Sequence, residues 1–89
     1  MSYEIFIEKR AQKFLSKIDR QAQYRIIKVI RELSNNPYSI GAKKLRGREA
    51  WRVRIGNYRV IYEIFTKKLL VKVIHIGHRK DIYTKYLKK

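Results

Sequence analysis

A chain of 89 residues with no cysteine, 45% hydrophobic residues, and 23 Lys and Arg against 7 Asp and Glu, net +16, has room for a single domain spanning 1–89 around one modest core. A second independent domain, disulfide staples and thiolate metal sites are excluded. Positive charge at this density works against a compact state by self-repulsion and draws polyanions, so the normal partner is expected to be acidic.

The charge is uneven. Residues 1–40 hold 8 basic and 4 acidic side chains, and residues 41–89 hold 15 and 3, which assigns the polyanion surface to the second half. No stretch approaches the ~20 apolar residues that cross a bilayer, and Met1-Ser2-Tyr3-Glu4-Ile5 shows no charged leader before an apolar run. No amphipathic helix sets these charges against a broad apolar face, which ranks nucleic acid above a membrane. The expectation is a cytoplasmic protein with no membrane partner.

In chain order, Tyr3–Ile7 is short, β-branched and aromatic, and reads as a strand. From Ala11 the period becomes helical: Ala11, Phe14, Leu15 and Ile18 share one face, which predicts a helix over 9–18. Asp19 suits the N-cap of a second helix, with its carboxylate accepting from the first free amides. The apolar stripe of that helix is Ala22, Ile26, Val29 or Ile30, and Leu33, and Asn35-Asn36-Pro37 stops it. Residues 37–44 read as a loop, followed by a short edge strand or extended segment over 43–47 anchored by Leu45.

Next come two strands, 50–56 and 58–65. Trp51, Val53 and Ile55 face one side while Arg52 and Arg54 face the other. Gly56-Asn57 suits a two-residue turn, since both residues tolerate positive φ. The return strand Tyr58-Arg59-Val60-Ile61-Tyr62 then brings Arg59 beside Arg52 or Arg54. Like charges on adjacent strands repel, so three converging guanidinium groups imply a polyanion to meet. After a turn at 66–68, Leu69–Ile76 is the most strand-like run, expected to be central or best buried and to end at Gly77. Residues 81–87 form one or two helical turns or a tail. The pattern β-α-α-β-β-β-β describes an α+β fold: an N-terminal strand and a helical hairpin packed on one face of a mainly antiparallel sheet, whose uncovered face carries the arginines.

His75 and His78 lack partners at zinc spacing, and neither a serine-nucleophile elbow nor a phosphate-binding glycine loop is present, so no metal or cofactor is expected. What remains is Gly77-His78-Arg79-Lys80-Asp81-Ile82-Tyr83. A histidine trades protons near neutral pH, an arginine stabilises a phosphorane-like transition state, and a tyrosine stacks on a base. These are the parts of a metal-free ribonuclease. His75, inside the apolar run, reads as a core or sheet-face residue.

Lys44-Leu45-Arg46-Gly47, the Trp51–Tyr62 hairpin and the Gly77-His78-Arg79 to Tyr83 ending together resemble RelE toxins of the RelE/ParE toxin–antitoxin superfamily over nearly the whole chain. The resemblance implies a RelE-like toxin that enters the ribosomal A site and cuts messenger RNA without metal, inhibiting translation. It also implies an acidic, RelB-like antitoxin that wraps and neutralises it, in a hetero-oligomer that binds operator DNA. Position by position, Arg52 and Arg54 match two basic active-site residues, Arg59 the phosphate-binding arginine, Arg79 an acid or leaving-group stabiliser, and Tyr83 the aromatic that orients the substrate nucleotide. Where one branch has a lysine proposed as base, this chain has Arg54, a far poorer proton acceptor with a pKa above ~12. His78 is then the natural candidate base, with Glu63, on the face of Arg59, the second. The alternatives are a ParE-like toxin that binds gyrase and a non-enzymatic basic nucleic-acid-binding module.

Overall fold

The computed structural model describes residues 2–38, 41–45, 47 and 49–78. The expected helical turns or tail over 81–87, and the site candidates Arg79 and Tyr83, lie outside these residues. The elements are β1 (Glu4–Ile7), α1 (Lys9–Lys17), α2 (Arg20–Asn35), β2 (Ala42–Lys44), β3 (Trp51–Ile55), β4 (Tyr58–Phe65) and β5 (Leu70–His78). The strands form one sheet in the order β1-β5-β4-β3-β2, parallel between β1 and β5 and antiparallel elsewhere. This is the α+β architecture the hydrophobic periods describe.

Both helices bury their apolar stripes on one face of the sheet. Ala11 of α1 and Ile26, Ile30 and Leu33 of α2 form one core with Val53, Ile55, Val60, Tyr62, Val71, Val73 and Ile76. Each fully buried aliphatic side chain contributes about 1.5–3 kcal/mol relative to exposure, which makes this face the main source of stability. Asp19 occupies the N-cap of α2 with extended backbone, but its carboxylate makes no cap bond. The joint between the helices is held instead by Gln23, whose backbone N–H donates to the Asp19 carbonyl at 3.0 Å and whose Nε2 donates to the Leu15 carbonyl at 2.9 Å.

Asn36-Pro37 ends α2 as the sequence requires, and the stop is tied into the core. The buried Tyr62 hydroxyl donates to the Pro37 carbonyl at 2.8 Å. Burial first, and the Tyr38 hydroxyl second, push the Tyr62 phenol well above its ordinary pKa. Tyr62→Phe is expected to cost about 1–2 kcal/mol by leaving a buried carbonyl unsatisfied, read as a lower urea midpoint at unchanged m. Above pH ~10 the unfolded chain releases this proton while the fold retains it, so this group makes stability fall as pH rises. Tyr62→Phe should remove that part of the alkaline slope.

Three local expectations are corrected or refined. The edge strand or extended segment expected over 43–47 is the edge strand β2, with its bounds shifted to Ala42–Lys44, and Leu45 N–H donates to the Ala50 carbonyl at 2.8 Å where the chain returns to β3. Gly77 does not end β5, which pairs on to His78 opposite Tyr58. Of the two alternatives for β5, central or best buried, the middle place goes to β4, with β5 between it and β1, while β5 holds the more buried residues, five against four; Arg59–Tyr62 of β4 are buried in succession, so both of its faces are covered there.

Candidate nucleic-acid interface

The β3–β4 hairpin turns at Gly56-Asn57. Gly56 takes φ of 60° while Asn57 stays at negative φ, so the first turn position alone uses the left-handed freedom, as in a II′-type turn. The resulting register sets Arg54 directly opposite Arg59, with Arg52 opposite Ile61 and Val53 opposite Val60. Trp51, Val53, Ile55, Tyr58 and Val60 pack into the helix-side core. Alternation therefore sends Arg52, Arg54 and Arg59 to the opposite face. Lys43, opposite Arg52 on β2, joins the same row. Sequence reasoning missed it, although Lys43 and Leu45 share a side by alternation and Leu45 packs on Ile61 of this face.

The face is more built than a solvated row of charges. Leu45, Ala50 and Ile61 form a second buried cluster with half-buried Ile74 against it. Arg54 is exposed, Arg52 half-buried, and Arg59 is only 3% exposed. A guanidinium stays charged at any physiological pH, so one held this deep is fixed in place by what surrounds it. The three arginines thus converge beside an apolar floor, with Arg59 sunk into the sheet face and Arg52 and Arg54 more open to solvent.

The faces of the two histidines are the reverse of what unbroken alternation from Val71 and Val73 would give. β4 and β5 pair from Phe65/Leu70 to Tyr58/His78, but the register slips between Ile61 and Tyr62: Ile61 pairs with His75 and Tyr62 with Val73. Ile74 is the extra residue of a bulge, and one extra residue reverses the phase of every side chain beyond it. His75, 6% exposed, consequently joins the arginine face. His78 turns to the helix side, its ring 5.6 Å from Phe14 and 5.0 Å from Tyr58. The structure thus brings Arg52, Arg54 and Arg59 together and leaves His78 out.

Glu63 shares the face of Arg59 but stands four residues along β4, roughly 13 Å away at strand rise, opposite Lys72. Lys72 Nζ in turn pairs with Glu8 Oε2 at 3.3 Å. That separation exceeds hydrogen-bond reach of a phosphate seated on Arg59. Among the described residues no group of three or more His, Asp or Glu side chains could hold a metal ion, and no helix is long and apolar enough to cross a membrane.

The family model described as the ParE toxin of type II toxin–antitoxin systems, parDE, matches residues 5–83. The chain is 28% identical to the mRNA interferase toxin RelE of Escherichia coli strain K12, over 100% of this chain and 98% of that protein. A double Arg-to-Ala mutant of E. coli toxin RelE in the free state superposes with a TM-score of 0.80 at 25% identity, covering 99% of this chain and 97% of that one. The archaeal RelE–RelB complex from Pyrococcus horikoshii OT3 gives 0.78 at 27% identity, covering 89% and 97%.

Proposed function

The chain belongs to the ParE toxin family of type II toxin–antitoxin systems, within the RelE/ParE superfamily, and on that premise we propose that it is a ribosome-dependent endoribonuclease that cuts message in the A site by metal-free attack of a ribose 2′-OH. The observation that carries this reading is the direct pairing of Arg54 with a buried Arg59 beside Arg52. A fold that sets like charges side by side and sinks one of them sacrifices stability for a defined anion site. The similarity to an mRNA interferase over the whole chain supports the choice of anion.

In the proposed reaction the 2′-oxygen attacks the adjacent phosphorus and the P–O5′ bond breaks. The products are a 2′,3′-cyclic phosphate and a 5′-OH; the 2′-OH proton leaves to an acceptor and the departing 5′-oxygen gains one. Negative charge grows on the non-bridging oxygens, where Arg59 holds the phosphate and Arg52 and Arg54 complete the cradle. Arg79 stabilises the leaving group and Tyr83 stacks on the nucleotide. Charge stabilisation is the largest contribution, at about 10²–10³-fold for each donor.

His78, on the opposite face against Phe14 and Tyr58, has no part in proton transfer in this reading. His78→Ala is expected to retain cleavage within about threefold while losing about 0.5–1.5 kcal/mol of ring packing. A single-turnover assay over pH 5.5–8 checks this, and disappearance of a pH-dependent limb in the variant would return His78 to the mechanism.

The whole proposal is tested by incubating the isolated protein with purified ribosomes carrying message. Cuts confined to ribosome-bound RNA support it, and intact message sinks it. The description of the matched family model favours one other reading, a ParE-like gyrase inhibitor; inhibited supercoiling by gyrase with intact message would select that one. The partner is proposed to be an acidic antitoxin like the RelB of the related complexes, drawn by the +16 chain and ordering as it wraps the basic face. Co-purification that weakens steeply with salt is the expected sign.

A further inference from the structure

Arg59 stands in β4 with Arg54 opposite it on β3 and Gly77 opposite it on β5. Across a strand pair, directly opposed side chains sit about 4.5–5.5 Å apart at Cβ. On the β3 side of Arg59 that position holds another guanidinium. On the β5 side there is no side chain, and the space is filled by the ring of His75: a Cβ built on Gly77 would lie 2.6 Å from His75 Nε2 and 3.4 Å from its Cε1, and its three nearest atoms all belong to that ring. The ring reaches this place because the bulge at Ile74 turned His75 onto the arginine face.

We infer that His75 is a positioning residue for Arg59. Repulsion from Arg54 disfavours the β3 side for the Arg59 guanidinium, and on the β5 side Gly77 presents no side chain. An arginine has several free torsions to lose before it can present a planar fork to a phosphate. The imidazole, itself buried, fills that side and narrows the directions in which the guanidinium can point. Gly77 is required because any side chain there would compete with the ring for the same volume. His75 thus acts through Arg59 and need not touch the RNA.

The kinetic arm of the test rests on the ribonuclease reading, so a second arm is independent of it. In the 15N-labelled free protein, the Arg59 Nε–Hε resonance should be dispersed and protected from solvent exchange. His75→Ala should move it toward the position of a mobile arginine and raise its exchange at least tenfold. In ribosome-dependent cleavage the same variant should lose about tenfold in kcat with KM for programmed ribosomes changed less than twofold. Gly77→Ala, which displaces the ring, should reproduce both effects. The double variant should be no worse than His75→Ala, since with the ring gone the new methyl has room.

His75→Gln, closer in volume, decides the matter should the alanine variant fail to fold, with about a threefold loss in kcat and the same direction of resonance shift. An unmoved Arg59 resonance in the variants, or losses from His75→Ala and Gly77→Ala that multiply, would overturn the inference. Intact message with the unsubstituted protein would remove the ribonuclease reading and leave the resonance arm to decide the role of His75.

Discussion

Arg59→Ala is expected to lower single-turnover cleavage of ribosome-bound message by at least about 10²-fold while the fold persists. Among the described residues Arg59 is the guanidinium of the face sunk to 3% exposure, paired with Arg54 on β3 and with Gly77 on β5, beside which the His75 ring lies. A charge-assisted fork fixed in that way reaches the phosphate with little reorganisation, and it strengthens as charge develops in the transition state. Removing it should therefore appear in kcat more than in ribosome affinity, which the many other cations sustain. Arg59→Lys should restore only part of the rate, because an ammonium cannot reproduce two parallel N–H donors. Circular dichroism and the urea midpoint of the variant check the fold. Undiminished cleavage by a folded Arg59→Ala would remove this residue from the site.

How much of this arrangement was legible depended on whether local pattern or pairing count decided it. The helices were legible because Ala22, Ile26, Ile30 and Leu33 keep the 3.6-residue period and all are buried, with Asn36-Pro37 as a chemical stop. The hairpin was legible because strict alternation runs through Trp51–Ile55 and resumes at Tyr58, and it placed Arg52, Arg54 and Arg59 on one face without further information. Asp19 marks the right place for the wrong bond, since the hydrogen bonds of Gln23 hold the helix joint instead.

The histidines turn on a pairing count: His75 is the buried, sheet-face residue its apolar run implies, and the face each ring takes is set by the bulge. Continuing the phase of the buried Val71 and Val73 assigns His75 to the helix side and His78 to the arginines; the bulge exchanges them. Nothing in Ile74-His75-Ile76 announces a bulge. In the structure 8 residues of β4 face 9 of β5, so one residue is left over. The strands read from the sequence, 58–65 and 69–76, are equal in length, so the leftover residue shows only once the structural bounds are known. Its position still follows from packing, since Ile74 gains a place against Leu45, Ala50 and Ile61.

Arg54→Glu should abolish cleavage and make the protein more stable, a pair of effects that separates function from folding at one exposed position. In the native chain Arg54 faces Arg59 directly, and like charges so opposed on neighbouring strands cost a few tenths to about 1 kcal/mol, which an opposite-charge pair would turn into a similar gain. The net charge also falls by two from +16, easing the self-repulsion of the whole chain. A gain of about 1 kcal/mol should raise Tm by roughly 4–8 °C in a domain of this size. The carboxylate would at the same time occupy Arg59 and repel the scissile phosphate, so cleavage should fall at least about 10³-fold. Binding of a 2′-deoxy, uncleavable message analogue should weaken, and its salt dependence should become shallower by about one charge's worth of counterion release. A variant that cleaves normally would show that Arg54 faces solvent and not RNA. One that loses both activity and stability would show that Arg54 supports the fold, and the reading of the row as an anion site held at the expense of stability would fail with it.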